Sequence, residues 1–301
     1  MVAKSAAQPA RGMDPTPAIV SRIDEPVLIR RPAERRTPIL VTSPHSGRIY
    51  PPDLLSQSEL PLAALRRSED AYVDVLIGGA KEIGISSIIA AFPRVFVDPN
   101  RAADEFDPGL FAEMPPDRTN PTPHVEAGLG VIPRISANGR GLYARRLPLA
   151  EGRQRIAEYY RPYHGAIDTE LKSIADIFGV AILLDFHSMP AAAAGSADIV
   201  LGDRHGRACS PAIMAETEQA FREEGLTVRR NRPYAGGHTT GFYGQPDQGR
   251  HALQIEINRE LYLDEETVTR SGTFNRTQDI ISAVLTRLVS IEWQEKLVKP
   301  L

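Results

Sequence analysis

The stretch of sequence that decides the fold is Val180-Ala181-Ile182-Leu183-Leu184-Asp185-Phe186-His187-Ser188. An apolar run of about four to eight residues is typical of a strand buried inside a sheet. Alternate side chains of a strand lie on the same face, so Asp185 and His187 share one face and Phe186 lies on the other. The stretch therefore predicts a buried strand that presents a carboxylate and an imidazole at its carboxyl end.

Further apolar runs alternate with helical patterns along the chain. Strand-like runs also lie at residues 39–41, 85–92, 199–201 and 253–257. Helical patterns lie at residues 72–83, ending near Gly84, at 149–178, ending at Gly179, and at 210–224 and 265–289. This order predicts the α/β class: a single domain with a central mixed, largely parallel sheet flanked by helices on both faces. We expect a flexible lead-in at residues 1–20 and one catalytic domain at residues 21–301.

Composition and charge exclude several classes of partner. Apolar residues make up 42% and charged residues 24% of the 301 residues, and the net charge is -3. No basic field therefore draws the protein to nucleic acid or to a membrane surface. The single cysteine, Cys209, forms no intrachain disulfide, and no apolar run approaches the roughly 20 residues of a membrane helix. Because residues 1–16 also lack the apolar core of a secretory signal, we expect a cytoplasmic protein.

Two segments resemble loops more than helices or strands. Residues 104–138 are rich in proline, glycine and aspartate, and we expect this excursion to cover the active-site side of the sheet. Residues 236–241 are predicted to form a flexible substrate loop. No phosphate-binding glycine-rich loop, serine-hydrolase elbow or His-Glu-x-x-His helix occurs.

Polar side chains at strand ends suggest a metal site. His45 follows the strand at 39–41, His187 ends the strand quoted above, and Glu256 lies within the strand at 253–257. Ligands bind at the carboxyl ends of strands in open α/β sheets, and catalytic zinc commonly takes three nitrogen or oxygen ligands from the protein. The alternative is that both histidines are structural, His45 bonded to backbone in a loop and His187 at the rim of the core. Asp185 could orient an imidazole.

Other carboxylates are also open to two interpretations. Glu69 and Asp70 could supply a third metal ligand, or they could cap the helix that follows. Glu256 could act as a general base, or it could belong to a half-exposed sheet face that also carries Gln254 and Asn258. Local sequence does not choose between these interpretations.

One further strand end is predicted at residues 95–99. It precedes Asn100 and Arg101, and an arginine can bind a substrate carboxylate through two parallel hydrogen bonds.

The ordered set of motifs resembles the N-formylglutamate amidohydrolase family, which is similar in fold to the zinc carboxypeptidases and aspartoacylases. The resemblance covers residues 40 to 265. It rests on segments beginning Ser43-Pro44-His45, Glu69-Asp70, Asp98-Pro99-Asn100-Arg101, Asp185-Phe186-His187, Leu201-Gly202-Asp203-Arg204 and Gln254-Ile255-Glu256.

The resemblance implies an enzyme that hydrolyses N-formyl-L-glutamate to formate and L-glutamate. It implies Zn²⁺ held by His45, Asp70 and His187, with Glu256 as the catalytic base. Substrate binding is assigned to Asn100, Arg101, Arg204 and His238. Arg204 is one candidate for a second cation, along with Arg140 and Arg259, and His238 is a candidate donor to the oxyanion. The alternatives are a deacylase of another N-acyl amino acid and a non-catalytic relative that binds a carboxylated metabolite.

Overall fold

A seven-stranded mixed sheet forms the centre of the protein in the computed structural model, which describes residues 18–113, 120 and 122–297. The strands of this sheet are β2 (Val27–Arg30), β3 (Ile39–Ser43), β5 (Ser86–Ala90), β6 (Ala181–Met189), β7 (Ile199–Gly202), β8 (Val228–Arg230) and β9 (Arg250–Asn258). Two short pairs lie outside it: β1 (Ile19–Val20) with β4 (Ile49–Tyr50), and β10 (Leu263–Asp264) with β11 (Thr269–Arg270).

The sheet order is β2-β5-β3-β6-β9-β7-β8. The pairs β5–β3, β3–β6, β6–β9 and β7–β8 are parallel, while β2–β5 and β9–β7 are antiparallel. The predicted mixed, largely parallel sheet is therefore confirmed. The likeness to zinc carboxypeptidases stays a prediction. The carboxyl ends of β3, β6 and β9 lie side by side, which brings their polar termini to one edge.

Helices cover both faces of the sheet. They are α1 (Pro52–Gln57), α2 (Leu62–Arg66), α3 (Val73–Leu76), α4 (Pro123–Glu126), α5 (Leu149–Arg155), α6 (Arg161–Phe178), α7 (Ala191–Ala194), α8 (Pro211–Glu223), α9 (His238–Tyr243), α10 (Phe274–Val289) and α11 (Trp293–Leu297). Apolar residues of α3, α8 and α10 pack on one face, and those of α6 pack on the other. The predicted placement of helices on both faces is confirmed.

Two glycines end helical segments as predicted. The 3-10 helix Gly78–Ile83 ends at Gly84 (φ 93°), and α6 ends at Gly179 (φ 71°). Glycine adopts these left-handed angles without the clash that a Cβ would cause. The pattern at 149–178 is one continuous helical stretch, since the π-helix Ile156–Tyr160 joins α5 to α6.

Several predicted elements differ from the structure. The helix expected at 72–83 divides into α3 and a 3-10 helix, and the helix expected from 265 begins at Phe274, after β10 and β11. Residues 95–97 form a turn, so the predicted strand there is wrong. Apolar runs of three residues carry too little periodicity to separate a buried strand from a buried turn. The predicted loop at 236–241 is largely helical, because α9 begins at His238.

Two predicted segments lie partly outside the described residues. Residues 1–17 of the lead-in are not described, and its last two residues form β1, which pairs with β4. In the excursion at 104–138, residues 114–119 and 121 are not described, and the rest contains α4. Among the described residues, no helix has the length and apolar character needed to cross a membrane.

Candidate active site

A cavity of about 510 Å³ opens at the carboxyl ends of β3, β6 and β9. His45, Asp70, His187 and Glu256 line it together with residues of the excursion, among them Leu129. The described part of the excursion therefore contributes to the wall of this cavity, as the sequence predicted.

Three side chains place metal-ligating atoms together at the base of the cavity. His45, Asp70 and His187 each offer one ligand atom, and these atoms lie within 4.8 Å of one another. His187 Nδ1 lies 3.1 Å from both His45 Nδ1 and Asp70 Oδ2, and His45 Nδ1 lies 3.4 Å from Asp70 Oδ2. Three lone pairs at such distances repel one another unless a proton or a cation lies among them, so the arrangement suits a metal ion.

The other nitrogen of each imidazole is held by a carboxylate. His45 Nε2 donates to Asp98 Oδ1 at 2.7 Å, and His187 Nε2 donates to Asp185 Oδ2 at 3.0 Å. A carboxylate only accepts, so both Nε2 atoms carry a hydrogen, and in the neutral form of each ring Nδ1 has the lone pair that a metal ion would take. Carboxylate partners of this kind orient metal-binding histidines and fix their tautomer.

Asp70 and its neighbour Glu69 have different partners. Asp70 Oδ1 accepts from Arg259 Nη2 at 3.0 Å, while Glu69 accepts from Tyr50 and Arg66, away from the two histidines. Burial alone would raise the pKa of Asp70, but its interactions with His187 and His45 and the charge of Arg259 hold that pKa well below its usual range. Asp70 is thus a buried carboxylate anion.

The capping interpretation of Asp70 is wrong. Helix α3 begins at Val73, and its N-cap residue is Tyr72, with no side-chain capping bond. Tyr72 adopts φ 64°, a left-handed conformation that is uncommon for a bulky residue and is found where surrounding structure imposes it. The Asp70 backbone N–H also donates to His45 O at 3.0 Å, which ties the two loops together.

Glu256 lies beside His187 on the neighbouring strand. The two residues are partners in the parallel register of β6 and β9, so their side chains share a face. Glu256 is 6% exposed, Gln254 4% and Asn258 5%, so the half-exposed face is also wrong. Gln254 Nε2 donates to Glu256 Oε1 at 2.7 Å, and burial raises the pKa of Glu256 to about 7. A carboxylate with such a pKa can exchange a proton near neutral pH.

Asn100 and Arg101 also line the cavity. Asn100 Nδ2 is 3.4 Å from His187 Nε2, and Arg101 donates through Nε and Nη1 to the carbonyls of Leu129 and Asn100. These bonds hold the Arg101 guanidinium, and Nη2 makes no hydrogen bond to any residue that the structure describes. The turn that carries both residues is not a strand end, in contrast to the sequence prediction.

Arg204 and His238 line a neighbouring cleft rather than the cavity that contains His45, Asp70 and His187. Burial, with the charges of His164 and Arg101, lowers the pKa of His238 to about 4, so its imidazole is neutral at neutral pH. Of the other arginines considered for a second cation, Arg140 is exposed, and Arg259 is bonded to Asp70.

Sequence reasoning missed two residues of the cavity wall. Arg94 donates to Asp98 Oδ2 at 2.8 Å and lines the cavity, and Asp98 accepts from His45. Burial would raise the pKa of Asp98, but Arg94 and His45 hold it well below its usual range. The four-residue spacing of Arg94 and Asp98 was visible, but a spacing alone does not show that the pair faces a histidine.

Comparison with known proteins identifies the class and then the family. The family and its named relatives are those of a hydrolase that acts on an amide, and the sequence profile of the N-formylglutamate amidohydrolase family matches residues 37–263. The chain is 32% identical over 265 residues to the N-formylglutamate deformylase of Pseudomonas aeruginosa, covering 85% of this chain and 94% of that protein. The deformylase of Pseudomonas putida is 30% identical over 266 residues, covering 85% and 93%. This chain therefore belongs to the N-formylglutamate amidohydrolase family, which confirms the resemblance.

Solved structures agree with this assignment. The N-formylglutamate amidohydrolase from Ralstonia eutropha JMP134 is 35% identical, with a TM-score of 0.85 over 91% of this chain and 99% of that one. A protein from Agrobacterium tumefaciens, 19% identical, has a TM-score of 0.61 over 87% of this chain and 95% of its own, and shares the fold.

Proposed function

We propose that this protein is a zinc-dependent amidohydrolase that cleaves N-formyl-L-glutamate to formate and L-glutamate. The observation that carries the proposal is the convergence of His45 Nδ1, His187 Nδ1 and Asp70 Oδ2 beside Glu256 in one cavity. Relatives with the name N-formylglutamate deformylase support the choice of substrate.

The donor set fits zinc. Two imidazole nitrogens and one carboxylate oxygen are a common ligand set of catalytic zinc, and the carboxylates Asp98 and Asp185 support the two imidazoles from behind. A bound zinc ion would supply Lewis acidity toward the formyl carbonyl and would lower the pKa of water.

Glu256 is the proposed proton carrier. Its Oε1 accepts from Gln254, which fixes the carboxylate and leaves Oε2 to take the proton of the attacking water. The same oxygen then delivers that proton to the departing amine of glutamate, so the carboxylate is restored at the end of the reaction. The pKa of about 7 suits both directions of transfer.

Cations on the cavity wall are the proposed recognition groups for the substrate carboxylates. Arg101 has Nη2 for a carboxylate, with the Asn100 amide beside it, and Arg94 adds a second positive charge. Arg204 and His238 contact the cavity wall from the neighbouring cleft. We therefore propose that these two side chains hold α9 in place and do not contact the substrate.

The decisive experiment is hydrolysis of a panel of N-formyl and N-acetyl amino acids, with and without a chelator. We expect N-formylglutamate to be preferred over N-formylglutamine and N-formylleucine by at least about tenfold in kcat/KM, because a charge-assisted hydrogen bond contributes roughly 1.5–3 kcal/mol. Chelation should abolish turnover and added zinc should restore it. Preference for apolar or longer acyl substrates would favour a deacylase of another N-acyl amino acid.

Metal content separates the catalytic from the non-catalytic alternative. We expect about one zinc ion per chain, and we expect His45→Ala, His187→Ala and Asp70→Ala each to remove most of it. Glu69→Ala is the matched control, because the Glu69 carboxylate accepts hydrogen bonds from Tyr50 and Arg66 and not from the two histidines. If Glu69→Ala loses the metal and Asp70→Ala does not, the third ligand is Glu69. If zinc-replete protein hydrolyses no N-acyl compound, the result favours the alternative of a non-catalytic relative that binds a carboxylated metabolite.

A further inference from the structure

The turn formed by residues 99–101 has no strand pairing to hold it, yet each of its three backbone carbonyls accepts a hydrogen bond from a side chain. His164 Nε2 donates to Pro99 O at 2.9 Å, Arg101 Nη1 to Asn100 O at 2.8 Å, and the Tyr160 hydroxyl to Arg101 O at 2.8 Å. Buried carbonyls need hydrogen-bond donors, and within the sheet the neighbouring strands supply those donors. Here one helix supplies two of the three.

Both donors lie on one face of that helix. Tyr160 is the last residue of the π-helix Ile156–Tyr160, and His164 follows four residues later in α6, so the two rings are neighbours, with centroids 4.3 Å apart. A single π-helical turn within an α-helix is rare and frequently marks a functional site. The two donors bracket Asn100, one on each side.

Helix α9 holds the side chain of Asn100 from the other direction. The Thr239 backbone N–H donates to Asn100 Oδ1 at 2.9 Å. Gly237 passes so close that an added Cβ would lie 2.4 Å from Asn100 Nδ2. The carboxamide therefore has one orientation, with Oδ1 toward α9 and Nδ2 on the side of His187.

The same two donors also connect to α9. Tyr243 Oη lies 2.9 Å from His164 Nδ1, and His238 Nε2 lies 3.3 Å from Tyr160 Oη. Because His164 Nε2 donates to Pro99 O, Nδ1 of the neutral ring is an acceptor for the Tyr243 hydroxyl, which also lies 3.1 Å from the backbone carbonyl of His164. The turn, α6 and α9 thus form one hydrogen-bonded unit.

We propose that Tyr160 and His164 are positioning residues for substrate binding, which hold the Asn100–Arg101 turn so that its amide and guanidinium meet the substrate carboxylate. The inference rests on the proposed role of Asn100 and Arg101. His187 and Glu256 belong to strands β6 and β9 of the sheet, so their backbone positions do not depend on the turn. Loss of either positioning bond should therefore raise KM and leave kcat and metal content nearly unchanged.

Tyr160→Phe tests the proposal, with Tyr159→Phe as the matched control. Tyr159 precedes it in the same helix, and its ring lies in edge contact with Phe92 and Phe96, at centroid distances of 5.7 and 5.1 Å. We expect Tyr160→Phe to raise KM for N-formylglutamate about 5- to 20-fold, with kcat within about twofold, and Tyr159→Phe to change neither. Equal kinetics for the two variants, or a fall in kcat alone, would overturn the proposal.

A second pair of variants and a double variant test whether Tyr160 and His164 act through the turn that carries Asn100 and Arg101. His164→Leu removes the donor to Pro99 O and should raise KM similarly, whereas His164→Gln keeps an N–H donor and should recover part of the affinity. In an Arg101→Ala background, Tyr160→Phe should have a smaller effect than in the unaltered protein. An equal change in KM in both backgrounds would show that Tyr160 acts independently of Arg101.

Binding measurements separate this proposal from the proposed function. If the unaltered protein hydrolyses no N-formyl amino acid, the proposed function fails, and the Kd for L-glutamate by calorimetry decides the positioning role. We expect weaker L-glutamate binding for Tyr160→Phe than for Tyr159→Phe. Equal Kd values, or no binding of L-glutamate by the unaltered protein, would overturn the positioning role.

Discussion

The two faces of β6 and β9 differ in how their chemistry changes along the strands. On the face toward α8 and α10 the middle of both strands is apolar: Ile182, Leu184 and Phe186 on β6, and Leu253, Ile255 and Ile257 on β9. The polar residues of this face are Ser188, near the end of β6, and His251, near the start of β9. On the other face apolar residues in the middle of the strands are followed by polar ones: Leu183 by Asp185 and His187 on β6, and Ala252 by Gln254, Glu256 and Asn258 on β9. Arg250 at the start of β9, with Ala181 and Met189 at the two ends of β6, completes this face.

What covers each face explains the difference. Helix α6 packs on the apolar first part of the second face, and the cavity lies over the polar part that follows. Both parts are buried, so burial alone does not mark the site. The polar part is distinguished by its paired groups: Thr42 donates to Asp185 at 2.6 Å, and Gln254 Oε1 accepts from the Gly237 N–H at 2.7 Å. Buried polar groups are stable only with such partners.

Replacement of the carboxylate on the polar face should have the largest effect. Glu256→Gln keeps the size of the side chain but cannot take the proton, so we expect kcat to fall by roughly two to four powers of ten. The metal content and the melting temperature should stay close to those of the unaltered protein. Near-normal turnover would mean that this part of the face is structural, like the opposite face.

Loss of the carboxylate behind one histidine should have a smaller effect. Asp185 accepts from His187 Nε2, so Asp185→Asn should weaken zinc affinity by about 10- to 100-fold. Competition with a chelator of known affinity measures the change. Asp168→Asn is the control, since its side chain is 66% exposed. Unchanged affinity in Asp185→Asn would show that His187 needs no orienting partner.

The dependence of kcat/KM on pH should report Glu256. Burial raises its pKa from an ordinary 4.5 to about 7, and a bound cation nearby would lower it again. Below this pKa the protonated carboxyl cannot accept a proton, so kcat/KM should fall about tenfold per pH unit on an acidic limb at or below pH 7. The residual activity of Glu256→Gln should lack the limb. A limb that persists in this variant belongs to another group.

A substitution on the apolar face should have the smallest effect, and it should change stability rather than catalysis. Ile255 neighbours Glu256 in sequence but points to the opposite face, where it is fully buried. Ile255→Val should lower the free energy of unfolding by about 0.5–1.5 kcal/mol and leave kcat unaltered. Denaturant unfolding and steady-state kinetics measure the two quantities. A clear fall in kcat would show that the two faces are not independent.

Local sequence predicted the parts of the fold that depend on neighbours in the chain. The alternation in β6 placed Asp185 and His187 on one face, and the register confirms it; Gly84 and Gly179 end helical segments as expected. The strand predicted at 95–97 was wrong, because a short apolar run is equally compatible with a buried turn.

The sequence by itself determined the α/β sheet, the family and the strand-end positions of His45, His187 and Glu256. Only the tertiary structure separated Asp70 from Glu69, brought Asp98 and Arg94 to His45, and moved Arg204 and His238 to a neighbouring cleft. The physical reason is that side-chain periodicity is a local property of a strand or helix. Arg259, which donates to Asp70, and Thr239, which donates to Asn100, come from segments more than 100 residues away, through contacts that form only when the sheet assembles.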